Sequence, residues 1–315
     1  GYERPLTAAV SGGADSSAML LLLADTTARH GWSLRAAHID HLIQSGSVRE
    51  TFRFSSRQLA DLADVPYHVA EADAPSEAER ASDGLEAAAR AVRYRALKRL
   101  ALDWGAPAIV VAHTRDDQAE TVLLHMIRGS GLDGLSGMPR VRDLEDGVLL
   151  ARPLLDVTRA ETVAVCRAYG VTPVDDPSNE ELIYTRNRVR QSLLPILESF
   201  NPNIAERLAE LAKSVGADRE LLELVGSQTL QQLRGASGEL RRREFLALPG
   251  ELQVRVIRSL CAEQGITLTS ERTAAALQVI LHGHGVVELS GGHNLTVAAG
   301  TIALTPPCPP GDASG

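Results

Sequence analysis

The sequence contains only three cysteines, Cys166, Cys261 and Cys308, and they lie too far apart to form a C-x-x-C pair. This spacing argues against a disulfide framework and a structural zinc site, and it favours a reducing compartment such as the cytoplasm. The chain also lacks any run of about 20 apolar residues, so no membrane span is predicted. A Walker loop, G-x-x-x-x-G-K-[ST], is absent as well, which argues against a P-loop NTPase.

An excess of basic residues is also missing, since 32 lysines and arginines stand against 40 acidic residues, for a formal net charge of −8. Proteins that bind nucleic acids usually have a basic surface, so the total charge argues mildly against an RNA partner. The distribution is uneven, because residues 186–258 carry 12 basic and 9 acidic side chains, a net charge of +3. Local potential matters more than the total for binding a polyanion, so charge alone leaves the question open.

The chain has 315 residues, 44% of them hydrophobic, which is enough for two domains. In the first part, short apolar runs alternate with helical stretches. The predicted strands are 6–10, 34–39, 66–69 and 108–112, and the main predicted helices are 49–63, 85–104 and 117–128. This alternation predicts an α/β fold in residues 1–185, a doubly wound parallel sheet flanked by helices. Residues 139–180 are mixed in character and are expected to form a loop-bearing edge of that domain.

The pattern changes from Arg186 onwards, where a second, smaller and mainly helical domain is predicted for residues 186–305. Its helices are expected at 203–234 and 251–264. Short strands are expected at 286–289, 295–298 and 301–304, where glycine-containing turns separate apolar runs. The remaining residues, 306–315, are rich in proline and glycine and are expected to be a disordered tail.

The strongest local signal is the heptapeptide Ser11-Gly12-Gly13-Ala14-Asp15-Ser16-Ser17, which lies between the first predicted strand and the first predicted helix. The two glycines allow backbone N–H groups to approach a ligand closely, and the N-terminus of the helix points its dipole at the same place. The three serine hydroxyls add further donors, so the segment is suited to a phosphate group. The alternative is an ordinary turn in which the Asp and Ser side chains merely cap the helix.

Acidic side chains recur near the predicted fourth strand and helix. Asp117 and Glu120 are three residues apart, so a helix places both carboxylates on one face, and Asp116 adjoins them. Such a cluster can hold the α-ammonium group of an amino acid, or Mg²⁺ beside a polyphosphate. The alternative is a capping group followed by a solvated acidic face.

Other candidates lie at strand ends and on one helix face. His38 and Asp40 end the second strand and His113 ends the fourth, where open α/β sheets bind ligands. For both histidines a purely structural role is equally compatible with the pattern. Arg90 and Arg93 share a helix face, and guanidinium groups there suit phosphate or carboxylate oxygens, although surface arginines are the alternative.

The order of motifs resembles the N-type ATP pyrophosphatases and, among them, the tRNA(Ile)-lysidine synthetases. The resemblance covers roughly residues 7–195. It is carried by S-G-G-x-D-S at 11–16, His38-Ile39-Asp40-His41, Leu85–Arg90 with Arg93-Tyr94, Ala112–Thr121, Arg128–Leu135, Arg152–Leu155, Asp176–Asn179, and Tyr184-x-Arg186-Asn187-x-Val189-Arg190. One departure is Leu42-Ile43-Gln44, where that family usually has Gly-Leu-Arg.

The resemblance implies an ATP-consuming ligase that joins L-lysine to cytidine 34 in the CAU anticodon of tRNA(Ile), with Mg²⁺ accompanying ATP. It implies a cytoplasmic enzyme, with a homodimer as one option for its assembly, whose second domain recognises the tRNA body. The nucleotide-binding residues would be Ser11, Gly12, Gly13, Asp15, Ser16, Ser17, His38 and His113. The catalytic residues would be Asp15, Arg93, Asp117, Glu120 and Arg186. Asp15 and Asp40 are the predicted metal ligands.

Three rival functions share features with this sequence. A tRNA thiolase of the same superfamily typically needs paired cysteines, and a glutamine-dependent amidotransferase needs a further domain with a nucleophilic cysteine. Neither feature is found in this sequence. An inactive RNA- or nucleotide-binding module is the third rival, and the intact loop and acidic cluster argue against it.

Overall fold

The structure is a computed structural model that describes residues 5–44, 46–81, 84–174, 185–235 and 238–306. It divides into two compact units, Gly1–Gly216 and Ala217–Gly315. The predicted domain boundary at 185/186 adjoins residues 175–184, which are outside the described residues, and it stays a prediction. The Asp176–Asn179 motif, Tyr184 and the tail from residue 307 also lie outside them.

The first unit contains a six-stranded sheet in the order β3-β2-β1-β4-β6-β5. Neighbouring strands are parallel except for the edge strand β5, which is antiparallel to β6. The strands are β1 Pro5–Ala9, β2 Ser33–Asp40, β3 Tyr67–Glu71, β4 Ala108–Val110, β5 Val141–Asp143 and β6 Leu149–Ala151. The parallel-dominated sheet with its helices confirms the predicted α/β fold class.

Helices connect and cover these strands. They are α1 Ala14–His30, α2 Gly46–Leu62, α3 Ala74–Ala81, α4 Leu85–Asp103, α5 Arg115–Ile127, α6 Leu132–Leu135, α7 Arg159–Ala168, α8 Thr185–Arg188 and α9 Leu194–Phe200, with a π-helical turn at Val189–Leu193. A long helix, α10, follows at Ile204–Leu233.

Adjacent residues of each central strand face opposite sides of the sheet, and both sides are buried. In β2, Ala36 packs in one hydrophobic cluster with Met19 and Leu20 of α1. The next residue, Ala37, packs in another cluster with Leu97 of α4. Helices therefore cover both faces, as expected for a doubly wound sheet.

The segment 139–180 holds more regular structure than the sequence indicated. It contributes β5, β6 and the ten-residue helix α7, which begins at a capping box formed by Thr158 and Glu161. The two strands are only three residues each. Such short runs carry little periodicity, so the prediction of a loop-bearing edge missed them.

The second unit has a four-stranded antiparallel sheet in the order β7-β10-β9-β8. Its strands are β7 Leu240–Arg241, β8 Gly285–Glu288, β9 Asn294–Ala298 and β10 Thr301–Thr305, and its helices are α11 Arg242–Leu246, α12 Gly250–Ala262 and α13 Ser270–His282. These elements surround one core, in which Phe245, Ile257, Ile280 and Leu295 are fully buried. The three predicted strands near the C-terminus are present, whereas α13 and β7 were not predicted.

Strand order also positions the candidate site. β1 is the central strand, and its neighbours β2 and β4 lie on opposite sides of it. Ligands of open α/β sheets bind beyond the carboxyl ends of the strands where the order reverses. The chain leaves β1 at Ser11–Gly13, which leads into the first turn of α1, and it leaves β4 just before His113.

Candidate active site

The loop after β1 is closed by its own serine. Ser16 Oγ accepts a hydrogen bond from Ser11 N at 3.1 Å and donates one to Gly13 O at 3.1 Å. Gly12 has a φ of +88°, a left-handed conformation that favours glycine. The residue before α1 is Gly13, which makes no side-chain capping bond. Because glycine has no side chain and the Asp15 carboxylate bonds to α7, the first N–H groups of the helix can donate to a ligand.

Asp15 bridges this loop to α7. Its carboxylate accepts hydrogen bonds from Thr162 Oγ1 at 2.6 Å and from Arg159 Nη1 at 3.3 Å. Burial raises the pKa of the Asp15 carboxyl, and the bonds from Thr162 and Arg159 only partly oppose that rise. The side chain is thus a partly desolvated carboxylate beside the loop, where a further cation would stabilise its charge.

A cavity of about 550 Å³ opens at the carboxyl ends of β1, β2 and β4. Most of the predicted site residues meet here: the cavity lining includes Ser11, Gly13, Asp15, Ser16, His38, Asp40, Arg93, His113, Asp117 and Arg186. Three predicted residues, Gly12, Ser17 and Glu120, do not belong to this lining. Gly12 shapes the loop, Ser17 is buried inside α1, and Glu120 is fully buried behind the cavity wall.

His38 is a buried, hydrogen-bonded histidine. Its Nδ1 lies 2.9 Å from the carbonyl oxygen of Val10, and because a carbonyl only accepts, Nδ1 carries the proton. Burial lowers the pKa of His38. This hydrogen bond connects β2 to the residue that follows β1, and His38 also lines the cavity. A structural role and contact with a ligand are therefore both compatible with its position.

His113 has the opposite tautomer. Arg152 Nε donates to His113 Nδ1 at 3.1 Å, so Nδ1 is unprotonated and the proton of the neutral ring lies on Nε2. Burial is the main cause that lowers the pKa of His113 to about 3, and the cations Arg93 and Arg152 add to it. His113 is therefore a neutral hydrogen-bond donor at physiological pH.

Asp40 is held by cations. Its carboxylate lies 2.9 Å from Arg49 Nε and 2.7 Å from Arg53 Nε, and it accepts a hydrogen bond from Leu42 N at 3.0 Å. Burial raises the pKa of Asp40, but the Leu42 amide and the two guanidinium groups outweigh burial, so the net direction is downward. Asp40 thus joins β2 to α2 as a charged group.

Asp117 and Glu120 face two arginines from the chain after residue 185. Arg186 donates from Nη2 to Asp117 at 3.0 Å and from Nε to Glu120 at 2.8 Å. Arg190 makes the same pair of contacts at 3.3 and 2.5 Å. Burial raises the pKa of Asp117, but Arg186 and the other neighbours outweigh it, and the pKa is lowered. The result is a compact quartet of two carboxylates and two guanidiniums, of which Asp117, Arg186 and Arg190 line the cavity.

Asp116 does not join that quartet. Its carboxylate accepts a hydrogen bond from the backbone N–H of Arg159 at 2.8 Å, at the start of α7. Adjacent residues of one helix point in different directions. Asp116 therefore binds the start of α7, while Asp117 and Glu120 bind the two arginines.

Arg190 and Arg152 were given no role from the sequence, although both belong to the quoted motifs. Arg190 is bonded to Glu120, 70 residues earlier in the chain, and Arg152 to His113, 39 residues earlier. The sequence signal that could have identified these two arginines is their position in motifs shared with the family. Arg159 and Thr162, which bond Asp15, lie outside those blocks and carried no signal.

Leu42 stands where the related family usually has glycine, and its φ is +59°. This left-handed conformation is costly for a residue with a Cβ atom. Leu42 and the exposed Ile43 line the cavity. The departure from the family pattern therefore places the apolar side chains of Leu42 and Ile43 at the cavity.

The described residues lack two further features. No helix among them is long and apolar enough to cross a membrane. Within the same residues, no group of three or more His, Cys, Asp or Glu side chains is arranged to hold a metal ion.

Comparison with known proteins places this chain in a family. Residues 2–197 match the PP-loop domain. A tRNA(Ile)-lysidine synthase from Salinispora arenicola is 38% identical over 313 residues, covering 97% of this chain and 92% of the relative. A tRNA(Ile)-lysidine synthase from Parasynechococcus marenigrum is 36% identical, covering 97% and 90%.

A solved structure agrees at the level of the fold. The U34-tRNA thiolase NcsA from Methanococcus maripaludis superimposes with a TM-score of 0.58 at 15% identity, covering 68% of this chain and 73% of the thiolase. At that identity the likeness concerns the fold alone. The matched domain and the relatives that align over nearly the whole chain show that this chain belongs to the PP-loop proteins and, among them, to the tRNA(Ile)-lysidine synthase family.

Proposed function

We propose that this chain ligates L-lysine to C2 of cytidine 34 in the CAU anticodon of tRNA(Ile), consuming ATP and changing codon specificity from AUG to AUA. The observation that carries the proposal is the cavity whose lining brings together the Ser11–Ser16 loop, His113 and Asp117 with its two arginines. A volume of about 550 Å³ lies in the range of small-molecule sites. Family membership supplies the identity of the substrates.

ATP binds with its phosphates against the loop after β1. The N-terminus of α1 offers unpaired N–H groups and the positive end of its dipole, which together favour an anion. The Ser11 hydroxyl adds a donor at the cavity wall, whereas the single O–H of Ser16 already donates to Gly13 O and holds the loop in shape. His38 and His113, at the ends of β2 and β4, flank the loop and complete the nucleotide site.

Mg²⁺ accompanies the nucleotide and would neutralise charge on its phosphate oxygens. Mg²⁺ usually keeps several waters and uses one or two protein carboxylates besides the phosphates, so it does not require a cluster of three protein ligands. Asp15 fits such a role, because its partly desolvated carboxylate lies beside the loop. Asp40 is the second predicted ligand, and an ion there would have to displace Arg49 or Arg53.

In the first step, the C2 carbonyl oxygen of cytidine attacks the α-phosphorus of ATP. An O–P bond forms, the bond to the β-phosphate oxygen breaks, and pyrophosphate leaves with the electron pair. Arg93 lines the cavity, and its buried Nε has no hydrogen-bond partner among the described residues. Its guanidinium group stabilises the negative charge that grows on the phosphate oxygens. The neutral His113 donates a hydrogen bond from Nε2 to an oxygen in the cavity.

In the second step, the ε-amine of lysine attacks C2. A C–N bond forms, the C2–O bond breaks, AMP leaves with the electron pair, and the protons lost from the amine pass to solvent water. Asp117 holds the α-ammonium group of lysine, and Arg186 keeps Asp117 oriented. In the described conformation Glu120 reaches the cavity only through Arg186 and Arg190. The chemistry is therefore mainly positioning and charge stabilisation.

Residues 186–305 are proposed to recognise the tRNA body. Within the Arg241–Arg243 run, Arg242 donates from Nε to Ile280 O at 2.6 Å and from Nη2 to Leu281 O at 2.8 Å, near the C-terminal end of α13. Arg241 forms an ion pair with Glu244 at 2.5 Å. Arg243, which is exposed, is therefore the arginine of this run proposed to contact RNA. A cytoplasmic location and a homodimer stay predictions.

The test is pyrophosphate release from ATP and Mg²⁺ with labelled lysine, with and without tRNA bearing the CAU isoleucine anticodon. We expect lysine to enter RNA only with that tRNA and in equal amount to the pyrophosphate released. Pyrophosphate release without lysine transfer would retain the PP-loop chemistry and reject the proposed substrate. No turnover with any combination would indicate a binding protein instead.

A further inference from the structure

A cluster of arginines surrounds Tyr94 of α4. The guanidinium carbons of Arg90, Arg93 and Arg142 lie 5.0, 5.3 and 6.0 Å from the centre of the tyrosine ring. Arg152, which is buried, interacts electrostatically with the same tyrosine and donates to His113. We call these four arginines and Tyr94 the Tyr94 cluster.

The cluster is held together without carboxylates. Among the described residues, no ion pair joins Arg90, Arg93 or Arg142 to an acid, whereas Arg95 of the same helix is paired with Glu77 at 2.8 Å. An aromatic ring attracts cations through its quadrupole and does not neutralise them. Tyr94 thus gathers positive charge and leaves it available to an external anion.

Burial makes this arrangement costly in the absence of a ligand. It lowers the pKa of Arg90, and the neighbouring Arg93, Arg186 and Arg152 act in the same direction. The Nε atom of Arg93 is buried and has no hydrogen-bond partner among the described residues. Buried donors are nearly always satisfied in a complete complex, so the cluster has the properties expected of an incomplete anion site.

The position of the cluster indicates the shape of the anion. Arg90 and Arg93 line the cavity, whereas Arg142 lies outside its lining, on the exposed edge strand β5. The positive charge therefore continues from the cavity wall to the surface of the first unit. A nucleotide confined to the cavity leaves Arg142 unused, while a nucleic-acid strand that enters the cavity passes it.

We propose that Arg90 and Arg142 of the Tyr94 cluster bind backbone phosphates of the RNA strand whose target nucleotide enters the cavity, while Arg93 acts on the phosphates of ATP. This inference rests on the proposed function and adds the RNA-binding surface of the first unit. It also answers the objection from the net charge of −8, because four arginines in one place create a local positive potential that the total conceals. The RNA contact is to phosphates, so it positions the strand and does not read its sequence.

The test measures binding of a fluorescent anticodon stem-loop RNA with a CAU loop to the full chain, at several salt concentrations. Arg142→Ala is the main variant, because its exposed side chain can be removed without disturbing the core. Arg95→Ala is the matched control, since it removes the same charge from a paired arginine on α4. ATP affinity is measured in parallel for each variant.

We expect Arg142→Ala to weaken RNA binding about 3- to 10-fold and to reduce the slope of log K against log salt by about 0.7, as for one lost phosphate contact on a single strand. ATP affinity and the control variant should stay within about twofold of the wild type. Tyr94→Phe should bind RNA like the wild type, whereas Tyr94→Leu should lose affinity, because the ring gathers the arginines.

Three results would overturn the proposal. If Arg142→Ala left the RNA affinity and the salt slope unchanged, the cluster would have no specific role in RNA binding. The same would hold if Arg95→Ala reduced them equally, and in both cases the proposed function would stand. Weaker ATP binding with unchanged RNA binding would assign the cluster to the nucleotide's phosphates. A wild-type chain that binds no RNA would reject this inference and the proposed function together.

Discussion

Arg186 Nε lies 2.8 Å from Oε2 of Glu120, and Glu120 has no exposed surface. Arg190 Nε occupies the other oxygen, Oε1, at 2.5 Å. A buried carboxylate is costly unless it is paired, and here two guanidiniums compensate its charge. Asp117 shares both arginines and reaches the cavity, so it is the acid of this pair that a substrate ammonium can contact.

The first prediction concerns lysine binding by Asp117. Asp117→Asn should raise the KM for lysine about 10- to 100-fold, because a hydrogen bond between two charged groups contributes about 1.5–3 kcal/mol. The KM for ATP should change much less. Steady-state lysine incorporation measures both constants.

Asp116→Asn is the matched control for that experiment, since it makes the same chemical change one residue away. Its carboxylate accepts a bond from Arg159 N and takes no part in the quartet, so the KM for lysine should stay near the wild-type value. Equal effects in the two variants would remove Asp117 from the lysine site.

The second prediction concerns the buried charge of Glu120. Glu120→Gln should lower the free energy of unfolding by about 3 kcal/mol, because breaking a buried ion pair leaves two guanidiniums undercompensated. Glu210→Gln, which affects an exposed pair with Arg207, should cost less than about 1 kcal/mol. Urea unfolding at pH 7 compares them, and similar losses would show that the quartet is not a stabilising unit.

The third prediction concerns Asp15 in the loop after β1. Asp15→Ala should abolish pyrophosphate release and leave the protein folded, because it removes the carboxylate beside the phosphate loop. Thr162→Val removes the 2.6 Å hydrogen bond and keeps the charge, so it should reduce the rate only modestly. Circular dichroism checks the fold of each variant. Full activity in Asp15→Ala would exclude the residue from the mechanism.

Much of the fold was predictable because its signals are local. The apolar runs before Ser11 and His113 are buried strands, and the glycines between β1 and α1 form the tight turn that their sequence indicated. The three-residue strands β5 and β6 were missed, since they depend on pairing with β4 and with each other. Helix α13 was also missed, although Thr269 caps its start.

The candidate site was predictable only in part. The motifs identified the residues that line the cavity, but pairing of Asp117 and Glu120 with Arg190 joins segments about 70 residues apart. The same holds for Arg152 and His113. Spacing along one helix places carboxylates on a face, but it does not identify the cations that a distant segment brings to them.

The fourth prediction concerns the buried histidine His41. Burial, reinforced by the nearby Arg93 cation, lowers its pKa to about 4, below the ordinary value of 6.5. The unfolded chain therefore binds more protons than the folded chain between pH 6.5 and pH 4. The contribution of His41 to the free energy of unfolding should be fully present above pH 6.5. It should fall by about 1–3 kcal/mol as the pH drops from 6.5 towards 4.

Urea unfolding of the wild type and of His41→Gln, followed from pH 7.5 to pH 4.5, measures that contribution. The variant should lose less stability over this range than the wild type. His30→Gln, at the exposed end of α1, makes the same substitution at the surface and is the matched control. An unchanged slope in His41→Gln would show that His41 ionises alike in the folded and unfolded chain.

The fifth prediction concerns the turn after β2. Leu42 has a φ of +59°, which costs a residue with a Cβ atom about 1–2 kcal/mol. Leu42→Gly should therefore leave the free energy of unfolding unchanged or raise it by up to about 1 kcal/mol. Ile43→Gly, beside it at ordinary φ, should lower it by about 0.5–1 kcal/mol. If Leu42→Gly lowered the free energy of unfolding more than Ile43→Gly does, the contacts of the leucine side chain would stabilise the fold by more than the strained backbone costs.

The most direct measurement is the mass of the anticodon fragment after incubation of tRNA(Ile) with the chain, ATP, Mg²⁺ and lysine. The account predicts that the fragment with position 34 gains the mass of one lysine less one water, and that this gain requires ATP and lysine together. An unchanged mass, while pyrophosphate is released, would contradict the assignment of lysine as the substrate.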